Sequence, residues 1–136
     1  MQKVLVDSNI ILDIFTEDPV WFDWSSQQLA YYIEHTTLVI NPIIYAEISM
    51  RFSKIEDLEE SLPDNYIARA HLPVEAAFLA GKIFLQYKKN SGNKQSTLPD
   101  FFIGAHASVK NMLLLTRDAG HYRTYFPKLS LITPET

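Results

Sequence analysis

The order of structural elements is set near the start of the chain, by the stretch Lys3-Val-Leu-Val-Asp7-Ser-Asn-Ile-Ile-Leu-Asp-Ile-Phe15. Its first apolar run predicts a buried strand that ends at Asp7, and the apolar stretch that begins at Ile10 predicts a helix after a tight turn. Open parallel sheets bind their ligands just beyond the carboxyl ends of their strands. A carboxylate at this point is therefore a candidate for a functional site.

Apolar strands alternate with helices along the rest of the chain. Further strands are predicted at 37–40, 66–71, 112–115 and 129–132, and helices at about 23–35, 42–52, 54–62, 73–89 and 97–110, with a short one opening at Asp118. Asp23 is the expected cap of its helix, and Val74, Phe78 and Leu85 fall at helical spacing in theirs. This alternation predicts a three-layer α/β/α sandwich with a mainly parallel five-stranded sheet, in a single domain that spans residues 1–136.

Composition excludes several classes of site. The 136 residues include no Cys, which excludes disulfides, thiolate ligation of zinc and thiol nucleophiles. Any metal must then be held by oxygen or imidazole ligands. An acid follows the first apolar run too soon for a signal peptide, and no apolar run approaches the roughly 20 residues that span a bilayer. We therefore expect no membrane contact and a cytoplasmic location.

Charge is divided unevenly along the chain. The net charge is −4, but residues 1–81 carry 4 Lys/Arg against 13 Asp/Glu, giving −9, and residues 82–136 carry 8 against 3, giving +5. Such asymmetry suggests an acidic face and a basic face, and a basic stripe is what contacts with nucleic-acid phosphates need. An unevenly charged, solvated surface is the alternative on composition alone.

Four acids lie just after a predicted strand or in the first two turns of the helix that follows one: Asp7, Glu47, Asp100 and Asp118. Each has an ordinary structural explanation, because the three Asp residues can cap helix N-termini and Glu47 can pair with Arg51 one turn later. Together, however, they are predicted to share one rim of the sheet. Carboxylates in a small volume repel one another unless a cation neutralises them, and hard divalent ions prefer oxygen ligands. The grouping therefore predicts a Mg²⁺ or Mn²⁺ site.

Four short motifs occur in an order that resembles a known family: Val-Asp7-Ser-Asn9, Tyr-Ala-Glu47-Ile, Leu-Pro-Asp100-Phe-Phe-Ile-Gly-Ala-His106-Ala and Leu-Leu-Thr116-Arg-Asp118. Across essentially the whole chain they resemble the PIN domain, particularly the VapC toxins of bacterial and archaeal toxin–antitoxin pairs. The resemblance implies a metal-dependent endoribonuclease, using Mg²⁺ or Mn²⁺, that leaves 5′-phosphate and 3′-hydroxyl ends. The implied catalytic and metal-binding residues are Asp7, Glu47, Asp100 and Asp118, with Asn9 and Thr116 as polar neighbours. Ser8 stands where many relatives have Thr, and this keeps the hydroxyl.

The same resemblance implies an RNA substrate and two protein partners. The partners are a second copy of the chain and an antitoxin, whose amphipathic segment would lie in a groove and block the acidic site. Three large aromatics, Trp21, Phe22 and Trp24, fall between two predicted helices, where a small domain can seldom bury all of them. We expect some of them to be exposed, and Trp21 or Trp24 to contact the antitoxin.

Roles within the predicted site can be divided. The principal metal is expected to be held, directly or through water, by Asp7, Glu47 and Asp100, while Asp118 completes the cluster. His121 stays open as a general base, whereas His106 is expected to lie in the core or on the surface. Basic side chains near the rim, or in the loop before Asp100, are candidates for contact with RNA phosphates: Lys88, Lys89, Lys94, Arg117 and Arg123. Ordinary solubilising charge is the alternative for each of them.

Other protein classes also place an acid after the first strand. Phosphatases of the haloacid-dehalogenase type need a second Asp two residues later, where this chain has Asn9. Receiver domains need an acid pair after the first strand, which is also missing. The main alternative to an enzyme is a non-catalytic PIN-fold module that docks a protein or RNA partner. Degenerate modules of that kind should lose some of the acids, so the presence of all four favours the enzyme.

Overall fold

The computed structural model describes residues 2–90 and 97–134. The strands in this part of the chain are β1 (Lys3–Val6), β2 (Thr37–Ile40), β3 (Ala68–Arg69), β4 (Leu113–Leu115) and β5 (Leu131–Ile132). The helices are α1 (Ser8–Phe15), α2 (Phe22–His35), α3 (Pro42–Ser49), α4 (Ile55–Ser61), α5 (Val74–Asn90), α6 (Leu98–Val109) and α7 (Gly120–Arg123). These are the predicted elements, although β3 and β5 are shorter than expected. None of the described helices has the length and apolar character needed to cross a bilayer.

The five strands form one parallel sheet in the order β3-β2-β1-β4-β5. β1 lies at the centre, where Leu5 is opposite Val39 of β2 and Leu114 of β4. Crossovers between parallel strands are almost always right-handed. Connections that run towards β3 and connections that run towards β5 therefore lie on opposite faces of the sheet. The predicted three-layer α/β/α sandwich is confirmed.

The core begins at the central strands and ends abruptly at their carboxyl ends. Val4, Leu5 and Val6 are all buried, as befits a strand covered by helices on both faces. The residues immediately beyond β1 and β4 are also buried but polar, namely Asp7 and Thr116. Buried polar groups must be hydrogen-bonded to be tolerated. The carboxyl edge of the sheet is therefore the place to look for a built polar site.

The start of α2 differs from the prediction. The helix begins at Phe22, so that Trp21 occupies the N-cap position, without a side-chain cap, and Asp23 lies in the first turn. The preceding turn is instead closed by Asp18, whose Oδ1 accepts hydrogen bonds from the N–H groups of Val20 and Trp21 at 2.9 Å each. The prediction that Asp23 caps this helix was wrong, because the N-cap is Trp21, two residues earlier.

The buried face of α5 is not the face that carries Val74, Phe78 and Leu85. Val74, Phe78 and Leu85 are 82%, 68% and 52% exposed, although they fall at helical spacing. The helix turns a different face inward, on which Ala76 and Ala80 are fully buried. Small side chains allow α5 to lie close against α6, the helix with which it makes its main contact. Apolar residues on both faces made the sequence pattern ambiguous, and close packing decided it.

Candidate metal and catalytic site

Asp7 lies where the chain leaves β1 and enters α1. Its N–H donates to the carbonyl of Leu115 at 2.9 Å, which ties the end of β1 to the end of β4. Its side chain caps α1, since Oδ1 accepts from the N–H of Ser8 at 2.8 Å. Only 5% of Asp7 is exposed. Among the described contacts Oδ1 receives this one donor, so one of its two lone pairs is left for another partner.

The second carboxylate oxygen of Asp7 is held by two hydroxyl groups. Thr116 Oγ1 and Tyr122 Oη each donate to Oδ2 at 2.8 Å. Burial raises the pKa of Asp7 above its usual value, the bonds from Tyr122, Thr116 and Ser8 lower it, and the charge of Asp100 raises it further. The net direction is upward. Asp7 is thus a fixed, desolvated carboxyl group that gains from a nearby cation.

Glu47 projects from α3 towards the same rim. Its Oε1 accepts a hydrogen bond from Ser8 Oγ at 2.8 Å, which links α3 to the start of α1. Burial is the main cause of its raised pKa, and the negative charges of Asp7 and Asp100 raise the pKa further, against the bond from Ser8. A salt bridge to Arg51 is not among those found in the described part of the chain. Glu47 therefore belongs to the acidic group and not to a surface ion pair.

Asp100 lies in the first turn of α6, and the expectation that its helix follows a strand was wrong, because α6 follows α5 along the chain. Its Oδ2 accepts from the N–H of Thr97 at 3.0 Å, so the predicted capping contact is present. The same oxygen is 3.3 Å from Nδ1 of His121. The charge of Asp100 also raises the pKa values of Asp7 and Glu47. Asp100 therefore caps α6 and also belongs to the acidic group.

Asp118 is connected to the other acids by hydrogen bonds of the Asn9 side-chain amide. Asn9 Nδ2 donates to Asp118 Oδ2 at 3.1 Å and lies 3.3 Å from Thr116 Oγ1 and 3.5 Å from Asp7 Oδ2. The N–H of Asp118 donates to Thr116 Oγ1 at 3.1 Å. Asn9 and Thr116 therefore stand between Asp7 and Asp118, in the positions predicted for polar neighbours of the site.

The donor set has the chemistry that a hard divalent cation requires. It consists of oxygen atoms, and burial together with the charge of Asp100 raises the pKa values of Asp7 and Glu47. Within the described residues, no three acidic or histidine side chains converge closely enough to form a complete ligand cage. Mg²⁺ commonly keeps several waters and binds through one or two carboxylates. The arrangement therefore fits an ion held partly through water, and does not fit one enclosed by protein ligands alone.

The two histidines near the motifs have separate places. His106 is 1% exposed, and its Nδ1 accepts from Asn41 Nδ2 at 3.0 Å, which puts the ring proton on Nε2. Burial, aided by the charge of Lys110, lowers the pKa of His106 to about 4. It is a neutral core residue, as expected. His121 lies at the rim, against Asp100.

Sequence reasoning missed two contributors to this region. Tyr122 is 1% exposed and contacts Asp7, but an aromatic in a short terminal helix is an ordinary core residue by pattern. Asp13 is 2% exposed, accepts from Ser25 Oγ at 2.7 Å and pairs with Arg117. The signal for Asp13 was present, because an acid inside an apolar helical stretch must find a partner when buried.

The basic residues chosen from the sequence are not equivalent. Lys88, Lys89 and Arg123 are exposed at or near the ends of α5 and α7. Lys94 lies outside the described residues. Arg117 instead makes a two-pronged ion pair with Asp13, at 2.9–3.2 Å. Its guanidinium group is therefore already occupied within the protein.

The three aromatic residues at the start of α2 are partly exposed. Trp21, Phe22 and Trp24 are all half-buried. The ring of Trp21 meets that of Trp24 edge-on, with 6.2 Å between centroids, and Arg117 Cζ lies 5.4 Å from the Trp21 centroid. Neighbouring side chains cover part of each ring, and the remainder of these aromatic side chains is exposed.

The sequence model of one family, described as the PIN domain, matches residues 4–127. No curated protein sequence gives a significant match.

Solved structures with the same fold cover nearly the whole chain. A chain of VapBC2 from Rickettsia felis, bound to a DNA fragment from the promoter, has a TM-score of 0.74 and 19% identity over 97% of this chain and 98% of its own. A chain of VapBC-1 from nontypeable Haemophilus influenzae has a TM-score of 0.73 and 19% identity, again over 97% and 98%. A chain of a toxin–antitoxin complex from Klebsiella pneumoniae has a TM-score of 0.70 and 20% identity, over 97% of this chain and 98% of its own.

Proposed function

The chain belongs to the PIN domain family, and we propose that it is a metal-dependent endoribonuclease that acts as the toxin of a toxin–antitoxin pair. PIN domains are generally nucleases. The single observation that carries the proposal is the acidic rim, where the charge of Asp100 raises the pKa values of Asp7 and Glu47 and Asn9 connects Asp7 to Asp118. An RNA substrate places the activity in the cytoplasm.

The cofactor of this proposal is Mg²⁺ or Mn²⁺. Asp7, Glu47 and Asp100 would hold the principal ion, through the free lone pair of Asp7 Oδ1 and through water. Asp118 would complete the cluster. When bound, such an ion supplies an activated water and stabilises charge on the phosphoryl and leaving oxygens.

The protein's own polar groups fix the acids before any substrate arrives. Thr116 and Tyr122 hold Asp7 Oδ2, so that the carboxylate cannot rotate away from the rim. Ser8 holds Glu47, and Asn9 sets the separation of Asp118 from Asp7. Fixed ligands and oriented donors reduce the reorganisation needed during the reaction.

Cations near the ends of α5 and α7, and in the sequence between α5 and α6, are the proposed contacts for the RNA backbone. Lys88 and Lys89 at the end of α5, together with Arg123 of α7, are exposed, and Lys94 lies between α5 and α6 in the sequence. Backbone contacts position the strand without reading its sequence. Replacing these cations should weaken binding to all RNA sequences alike.

An apolar groove is the proposed site for the antitoxin. Side chains of α1 and α2, together with residues 61–67 at and after the end of α4, line a groove of about 240 Å³ that includes Ile14, Leu29, Ile33 and Tyr66. An amphipathic helix commonly binds by laying its apolar face into such a groove. The exposed acids of α4, which include Glu56 and Asp57, favour a segment that also carries basic residues. Trp21 and Trp24 of the same α2 region remain proposed contacts.

A second copy of the chain is the other proposed partner. The exposed stripe of Val74, Phe78 and Leu85 on α5 is the kind of surface that association covers. Phe78→Asp should then shift a dimer to a monomer in sedimentation experiments while the fold is kept.

The test of the proposed function is a cleavage assay. A short fluorescent single-stranded RNA is incubated with the purified protein in Mg²⁺, in Mn²⁺ and in EDTA. We expect cleavage with either ion and none with EDTA, and products with 5′-phosphate ends. Tight RNA binding without cleavage in any metal would favour the non-catalytic module instead.

A further inference from the structure

Arg117 makes the most extensive side-chain ion pair in the described part of the chain. Its Nε lies 3.2 and 3.0 Å from the two oxygens of Asp13, and its Nη2 donates to Oδ1 at 2.9 Å. The Arg117 side chain is 25% exposed, whereas that of Asp13 is 2% exposed. Pairing of this planar, two-pronged kind fixes direction as well as charge.

Asp13 is an anchored partner. It lies on α1, is almost fully buried, and receives a further bond at 2.7 Å from Ser25 Oγ on α2. The ring of Trp21, the N-cap residue of α2, also contacts the Arg117 guanidinium, with 5.4 Å between Cζ and the ring centroid. The side chain of Arg117 is thus fixed to two helices that form part of the protein core.

The main chain at Arg117 connects two residues of the acidic site. Thr116 precedes it and holds Asp7 Oδ2, and Asp118 follows it. The N–H of Arg117 also approaches Asn9 Oδ1 at 3.4 Å, and Asn9 Nδ2 donates to Asp118. A movement of the Arg117 side chain would therefore move the peptide that places Asp118.

We propose that the Arg117–Asp13 pair is a clamp that positions Asp118 in the proposed nuclease site, and that Arg117 does not contact RNA phosphate. This inference rests on the proposed function. Arg117 and Asp13 are positioning residues, because both act through the loop between β4 and α7. The Arg117 guanidinium is held at 2.9–3.2 Å by a buried carboxylate, so its charge is compensated within the protein.

The experiment separates positioning from phosphate binding. The variants are Asp13→Asn, Arg117→Lys and the double variant Asp13→Asn/Arg117→Gln, which leaves no unpaired buried charge. Cleavage of a fluorescent single-stranded RNA should show kcat lowered about 10- to 100-fold in all three, with KM unchanged. Arg117→Lys should also lower kcat, because the lysine ammonium group cannot reproduce the two-pronged contact with Asp13.

The salt dependence of RNA binding in EDTA supplies the second measurement. Loss of one phosphate contact lowers the slope of log Kd against log salt by about 0.7 for a single strand. We expect the double variant to keep the parent slope. The matched control is Arg69→Gln, which removes a more exposed Arg–Glu pair and should reduce thermal stability slightly without lowering kcat.

Two results would overturn the clamp. One is a parent-like kcat in Asp13→Asn, and the other is a reduced salt slope with raised KM in the double variant. A parent protein that cleaves no RNA would refute the proposed function alone. In that case NMR tests the clamp. The signals of the Asp118 backbone amide and the Asn9 side-chain amide should shift in Asp13→Asn and not in Arg69→Gln. Unshifted signals in Asp13→Asn would contradict the clamp.

Discussion

The hydroxyl of Tyr122 donates a hydrogen bond to Oδ2 of Asp7 at 2.8 Å, across 115 positions of sequence. The two residues come from opposite ends of the chain and meet at the carboxyl edge of the sheet. Burial raises the pKa of Asp7, and the bond from Tyr122 is the largest of the contributions that lower it. Tyr122 therefore helps to keep a desolvated carboxyl group ionised.

Tyr122→Phe should make the enzyme more sensitive to acid. Removing the hydroxyl removes a contribution that lowers the pKa of Asp7, so that pKa should rise. The acidic limb of the profile of kcat/KM against pH should then move to higher pH. Tyr125→Phe is the matched control, because Tyr125 packs among aromatic rings and should leave the limb in place. An unmoved limb in Tyr122→Phe would show that this bond does not tune Asp7.

Asp7→Asn should abolish cleavage and make the metal-free protein more stable at neutral pH. The folded-state pKa of Asp7 is raised, so the ionised form destabilises the native state above the unfolded pKa. As pH falls through the folded pKa, the parent regains this stability, and the difference from Asp7→Asn should shrink.

Thermal melts in EDTA between pH 4 and pH 7.5 give the comparison. A domain of this size melts about 4 °C higher for each 1 kcal/mol gained, so a rise of a few degrees at pH 7 is expected. If Asp7→Asn melts below the parent by the same amount at every pH, the carboxylate contributes to the fold mainly as a helix cap.

His106 should make stability depend on pH in the opposite direction. Its folded pKa of about 4 lies below the ordinary value of 6.5. Its contribution to the free energy of unfolding is therefore fully present above pH 6.5. This contribution falls as the pH decreases and stops changing below about pH 4. At about 1.4 kcal/mol per unit, roughly 2 kcal/mol should be lost by pH 5. His106→Gln, which keeps an acceptor for Asn41, should lack this loss in urea unfolding. If the free energy of unfolding depends on pH in the same way in the parent and in His106→Gln, the assignment of this loss to His106 is wrong.

Ile33→Glu should weaken capture of the antitoxin while RNA cleavage is kept. The side chain is 37% exposed and lines the apolar groove, so a charge there opposes burial of an apolar helix face. The measurement is co-purification with the product of the adjacent gene. Val109→Glu is the control, at a similar 39% exposure outside the groove. Equal capture by both variants would remove the groove from the proposal.

The sequence was informative wherever one pattern determined one outcome. Continuous apolar runs, such as the one ending at Val6, predict strands covered on both faces, and the sheet follows from their alternation with helices. Asp7 and Asp118 were recognisable because parallel strands share a carboxyl edge. Glu47 and Asp100 were placed on the same rim by their positions in the first two turns of predicted helices.

Other features depend on contacts that local patterns do not encode. Val74 and Ala76 lie on different faces of α5, and only packing against α6 decides which face is buried. The partner of Asp13 is 104 positions away, so the sequence could signal that a partner was needed without identifying Arg117. Tyr122 has the same difficulty, since its hydroxyl matters only through the distant Asp7.

The melting temperature in rising Mn²⁺ tests the central claim, that the acids of this rim together hold a divalent ion. An ion that binds the native state raises the melting temperature by mass action. We predict a progressive rise for the parent and for Asp64→Asn, an exposed control, and none for Asp7→Asn/Asp100→Asn. A parent protein indifferent to millimolar Mn²⁺, or a double variant that responds as strongly as the parent, would contradict the account.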